Sequence, residues 1–146
     1  MKQDELIKRI VKKLNTHELA IVVIILALVL LKWYKISGTA PLIIAGISLI
    51  CMIYYFSSFE KIECDNMSQR FIIKLTGLAS ALVLVGVLFA MFQWPNSKMM
   101  LIVGTIGLAG SLIGSKVTNL NSTSYYTQYK TFRIIVLIGL SVFYLL

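Results

Sequence analysis

Residues 39–59, TAPLIIAGISLICMIYYFSSF, contain no charged side chain. A bilayer core takes about 20 apolar residues in a helix, with a range near 17–25. Three further runs share this character: 19–31, extended by Lys32, Trp33 and Tyr34; 71–94, with Lys74 within a turn of its start; and 99–115. Residues 132–146, apolar after Arg133, cover about 22 Å at 1.5 Å per residue, and read as a short fifth span or an interfacial helix. The pattern predicts an all-α, polytopic transmembrane helical bundle of four or five spans.

Composition agrees. The 146 residues are 58% hydrophobic and 14% charged, against about 25% charged in an ordinary soluble domain. The mean hydropathy is +0.86. These values exclude a disordered chain, a disulfide scaffold and almost any soluble enzyme. The first run is too long for a signal peptide, its leader carries both charges, and no A-x-A site follows it, so it reads as a retained helix.

Lys+Arg is 14 and Asp+Glu is 6, giving +8, and the charges lie between the runs. One side collects Lys2, Lys8, Arg9, Lys12, Lys13, Lys61, Arg70, Lys74, Lys116, Lys130 and Arg133, which is eleven; the other holds Lys32, Lys35 and Lys98. This bias predicts a cytoplasmic N-terminus and cytoplasmic loops at 60–70 and 116–131. Trp33, Tyr34, Phe92 and Trp94 then lie at the outer level, and Tyr54, Tyr55, Phe59 and Phe71 at the inner one. Too little polar chain remains for a nucleic-acid-binding face.

Residues 1–16 place Leu6, Ile7, Ile10, Val11 and Leu14 at helical spacing opposite Lys8, Arg9, Lys12 and Lys13. This is a basic amphipathic helix suited to a lipid surface or to a partner subunit. Asn15 and Glu18 are placed to cap the helix that follows. Residues 29–51 align without gaps to 87–109 at an offset of 58, with Val29 on Val87, Leu30 on Leu88, Ile44 on Ile102 and Gly46 on Gly104. The alignment suggests two related hairpins, 17–59 and 71–115.

Candidate chemistry is sparse. Cys51 and Cys64 fall at different depths, His17 has no partner at ligand spacing, and no metal site or cofactor is expected. No Asp or Glu lies in any run, which argues against a proton relay, a carboxylate transporter and an intramembrane aspartyl protease. No Ser/His or HExxH pattern is present, so the chain reads as non-enzymatic. Gly107, Gly110, Ser111 and Gly114 recur at i, i+3, i+4 and i+7, as a helix-packing face or a self-association seam. Thr76, Gly77 and Ser80 offer a smaller matching face. Gln93 and Asn96 flank Trp94 and Pro95 in an outer turn, where their side chains are expected to satisfy backbone groups.

The stretch from Lys74 to Gly104 resembles the membrane hairpin of the GldL-like family, the gliding-motility and type IX secretion motor subunits of Bacteroidetes. Gly77, Gly86, Leu88, Phe89, Trp94, Pro95, Met100, Leu101 and Gly104 carry the resemblance. It implies a bacterial inner-membrane hairpin. The family has His before the Trp and Gly-Ala after the Pro, where this chain has Gln93, Asn96 and Ser97; its buried glutamate is replaced by Gly107 and Leu108. The motor activity is therefore not expected to carry over. The expected function is an oligomeric scaffold or subunit of a membrane complex, partnered by lipid and by itself or another membrane protein. The alternatives are a small channel-forming effector and an immunity-type membrane protein.

Overall fold

The computed structural model describes residues 18–34, 38–58, 67–118 and 128–146. Segment 1–16, with Lys8, Arg9, Lys12 and Lys13, lies outside them. Among the described residues, five helices follow in chain order: α1 Glu18–Trp33, α2 Ala40–Ser57, α3 Met67–Met91, α4 Ser97–Val117 and α5 Gln128–Leu145. Two are long and apolar enough to cross a membrane, α3 with a hydropathy of 2.3 and α4 with 1.6; the apolar parts of the others are shorter.

Each helix packs on the next, and α5 returns to α1, so the bundle closes on itself. The α3 helix also reaches across to α5, and its most extensive partner is α4. This central position explains its composition. Ile73, Val83, Leu84 and Val87 are sealed from solvent, and small residues such as Ala79, Ser80 and Gly86 are buried among them. Small side chains let neighbouring backbones approach where several helices converge.

The two hairpins share their layout. The α1 helix ends at Trp33 and α3 at Met91, 58 residues later, while α2 begins at Ala40 and α4 at Ser97. Their packing differs for a reason legible in two glycines. In the first hairpin Gly46 faces a bulky partner, and a Cβ there would come within 2.8 Å of Leu28. In the second, Gly86 replaces the equivalent of Leu28, and glycines stand on both sides of the contact. A Cβ at Gly86 would lie 3.0 Å from Leu101, and one at Gly104 would lie 2.6 Å from Val83 and 3.0 Å from its backbone nitrogen. The second hairpin is accordingly the more extensively packed.

Helix limits exceed the uncharged runs. Residues 67–70, expected in a loop, form the first turn of α3, and α5 starts at Gln128 rather than 132. Polar residues end a hydropathy run without ending a helix, because Gln, Arg and Lys are good helix formers.

The turn from α3 to α4 is built on left-handed residues. Gln93 has φ 57° and Asn96 φ 66°. The Trp94 N–H donates to the Phe89 carbonyl at 2.8 Å and the Gln93 N–H to the Ala90 carbonyl at 3.2 Å, which is a Schellman stop. Pro95 follows, where a helix cannot continue. Asn96 makes no side-chain cap bond to α4, and Gln93 is exposed. For Asn96, then, the expected side-chain capping is replaced by a backbone role: Asn tolerates this conformation better than most residues.

Candidate functional site

With Glu18, at the very start of α1, the one acidic residue among the described residues, the features that can carry function are helix surfaces. The α4 helix has two distinct ones. Leu101, Gly104, Leu108, Ser111 and Ser115 are buried, a 3-4 spacing of the kind that forms a two-helix seam. Against them α3 presents Ile72, Ala79 and Val83 in antiparallel order: Gly114 meets Ile72, Gly107 meets Ala79 and Gly104 meets Val83.

Three of the four small residues singled out from the sequence therefore lie on or beside this internal contact. Ser111 is fully buried, and Gly107 and Gly114 would each bring a Cβ to about 3 Å of α3 side chains. Gly110 is not with them. It is exposed, with nothing within 4 Å of where a Cβ would stand. Gly104 belongs to the seam and was not singled out; the heptad spacing from Leu101 through Ser115 is the signal that identifies it.

The opposite surface of α4 is apolar and open. Met99, Ile106, Ile113 and Val117 are each at least 66% exposed, and Val103 is 56% exposed. Exposed apolar side chains continue around the bundle at Val23, Leu42, Leu49, Met52 and Ile135. A surface of this kind requires hydrocarbon or another helix against it.

Buried serine and threonine hydroxyls of α3 and α4 are satisfied by backbone carbonyls of their own helices. Thr76 Oγ1 donates to the Ile72 carbonyl at 2.8 Å, Ser80 Oγ to Thr76 at 2.7 Å, and Ser111 Oγ to Leu108 at 2.8 Å. One hydroxyl pair crosses between helices: Thr105 Oγ1 hydrogen-bonds Ser141 Oγ, tying α4 to α5, and Ser141 also reaches the Leu101 carbonyl at 3.3 Å.

At the far end of the same helices, Arg133 lies inside the bundle. It is 6% exposed, with its guanidinium 4.4 Å from the centre of the Tyr54 ring. The charge count from the sequence places Arg133 with the cytoplasmic-side cations and Tyr54 at the inner level. The earlier start of α5 sets Arg133 more than a turn inside the helix, where the Tyr54 face receives it. Gly77 permits this arrangement, because a Cβ there would meet Ser58 at 2.8 Å and the Tyr54 carbonyl at 3.0 Å.

Trp94 and Pro95 of the outer turn are exposed, with the Trp94 ring held between Phe89 and Phe92 at 5.0 and 5.8 Å. No family model, no curated protein and no solved structure matches the chain.

Proposed function

We propose that this chain is a non-enzymatic integral membrane protein that works through helix–helix association, as an oligomeric scaffold or as one subunit of a membrane complex. In this reading α3 and α4 are the full-length spans, and α1, α2 and α5 are shorter crossings that thinning and tilt accommodate. The Trp33 ring lies 5.5 Å from that of Phe143, which brings the end of α5 level with the end of α1 and supports a fifth crossing. The lysine and arginine bias supports a cytoplasmic N-terminus at a bacterial inner membrane, with segment 1–16 on the lipid surface. The GldL-like resemblance enters as hairpin architecture only.

The observation that carries the proposal is the division of α4. Gly104, Gly107 and Gly114 lie against α3 of the same chain, and its other face is a continuous apolar strip with Gly110 at its middle. Interior serine and threonine hydroxyls bound to carbonyls leave little to line a polar path, which favours assembly over conduction.

Two measurements test it. Alkaline extraction of membranes is expected to leave the chain in the pellet, and native mass spectrometry after mild detergent to show a species larger than the 16.4 kDa chain. Release into the alkaline supernatant overturns the membrane reading. A monomer as the sole species overturns the association.

A further inference from the structure

A cavity of about 550 Å³ opens at the end of the bundle where α1 finishes, α2 begins and α3 finishes. Its wall is formed by Lys32, Thr39, Ala40, Met91, Phe92 and Gln93. Lys32 is half-buried, and its ammonium is held 4.3 Å from the centre of the Phe92 ring. The ring fixes the cation at the cavity without neutralising it.

Charge bookkeeping at this end is one-sided. Glu18 is the only Asp or Glu among the described residues, and it stands at the other end of α1, about 21 Å away at 1.5 Å per residue. Leu146, at the end of α5, is wholly exposed and does not line the cavity. The start of α2 adds to the positive field. Pro41 occupies its first turn, and no acidic residue lies there. Gln93, held at φ 57°, adds an amide able to donate.

We propose that this cavity is a binding site for a net-anionic phosphate group, with Lys32 as its counter-ion, Gln93 as a further donor and Met91 and Ala40 as the apolar wall beside it. The same chemistry comes from an anionic lipid headgroup or from free phosphate. The position, at the end of apolar helices and open to the outside, suits the headgroup level of a bilayer. The lipid as ligand rests on the membrane reading, which alkaline extraction tests separately. A chain that stays with the pellet but shows no anion preference sinks this inference alone.

The experiment titrates the full-length chain in mild detergent with phosphatidylglycerol, phosphatidylcholine and inorganic phosphate, resolving adducts by native mass spectrometry. The expected result is a first phosphatidylglycerol adduct, preferred over phosphatidylcholine, whose affinity falls about fivefold in Lys32→Gln. It is retained in Lys32→Arg and in Lys98→Gln, which removes an exposed charge from the same end. Ala40→Phe fills the cavity while leaving the lysine, and is expected to abolish the adduct even if Lys32→Gln fails to fold. Displacement of the lipid by inorganic phosphate assigns the site to the free anion, and persistence assigns it to the headgroup; both uphold an anion site. Equal binding of the two lipids, or unchanged phosphatidylglycerol binding in both Lys32→Gln and Ala40→Phe, overturns it.

Discussion

The Trp94 N–H donates to the Phe89 carbonyl at 2.8 Å, and the two rings meet edge to face with centres 5.0 Å apart. The bond ends α3, and the ring contact is the apolar clasp that accompanies such a stop. Between them stands Gln93 in a left-handed conformation that glycine adopts without strain. Gln93→Gly is therefore expected to raise stability by about 0.5–1 kcal/mol, and Trp94→Ala to lower it by about 1 kcal/mol. Denaturation of the detergent-solubilised chain by SDS titration reads both; a glycine that destabilises the chain would contradict the strain assignment.

Two glycines six residues apart on α4 should respond in opposite ways. At Gly104 a methyl would collide with Val83, including its backbone nitrogen, so Gly104→Ala is expected to cost about 1–3 kcal/mol. At Gly110 nothing stands within 4 Å, so Gly110→Ala is neutral or stabilising by up to about 1 kcal/mol in the isolated chain. If the open face of α4 is the association surface, Gly110→Leu changes subunit number while leaving monomer stability alone. Equal losses at both positions, measured by thermal unfolding in detergent, would mean that the seam is misplaced.

How much of this was written in the sequence varies with the kind of information. Uncharged runs located the helices well, because burial from water is a property of composition. They set the limits poorly: Ser68 to Arg70 are helical although polar. Of the small-residue face, Gly107, Ser111 and Gly114 lie on or beside the contact with α3 and Gly110 does not, since Gly107, Gly110, Ser111 and Gly114 satisfy helical spacing as well as Gly104, Leu108, Ser111 and Ser115 do. Only the partner surface of Ile72, Ala79 and Val83 decides between the two stripes. The joining of Lys32 with Phe92, and of Arg133 with Tyr54, brings together residues 60 and 79 positions apart. No local pattern encodes such pairs.

The Thr105–Ser141 hydroxyl pair is the polar link from α4 to α5. In apolar surroundings such links average about 0.6 kcal/mol in double-mutant cycles. Thr105→Val and Ser141→Ala are each expected to destabilise, with a coupling of about that size in the double variant. Ser141 is the more costly position, because it also serves the Leu101 carbonyl at 3.3 Å. Strict additivity in SDS unfolding would show that the two hydroxyls do not depend on each other.

The contact between Arg133 and Tyr54 gives the most demanding test of the packing. Both side chains are buried, at 6% and 2% exposure, and a desolvated cation over an aromatic face is worth about 2 kcal/mol. Arg133 is held by α5 and Tyr54 by α2, so the interaction joins helices that are not consecutive. A cycle of Arg133→Leu and Tyr54→Leu isolates the pair, because leucine removes charge and ring while leaving apolar volume. Tyr54→Phe keeps the ring and is expected to retain most of the coupling, whereas Tyr54→Leu removes it. If Tyr54→Phe is as damaging as Tyr54→Leu, the hydroxyl rather than the ring face holds Arg133 inside the bundle, and the cation–ring assignment fails.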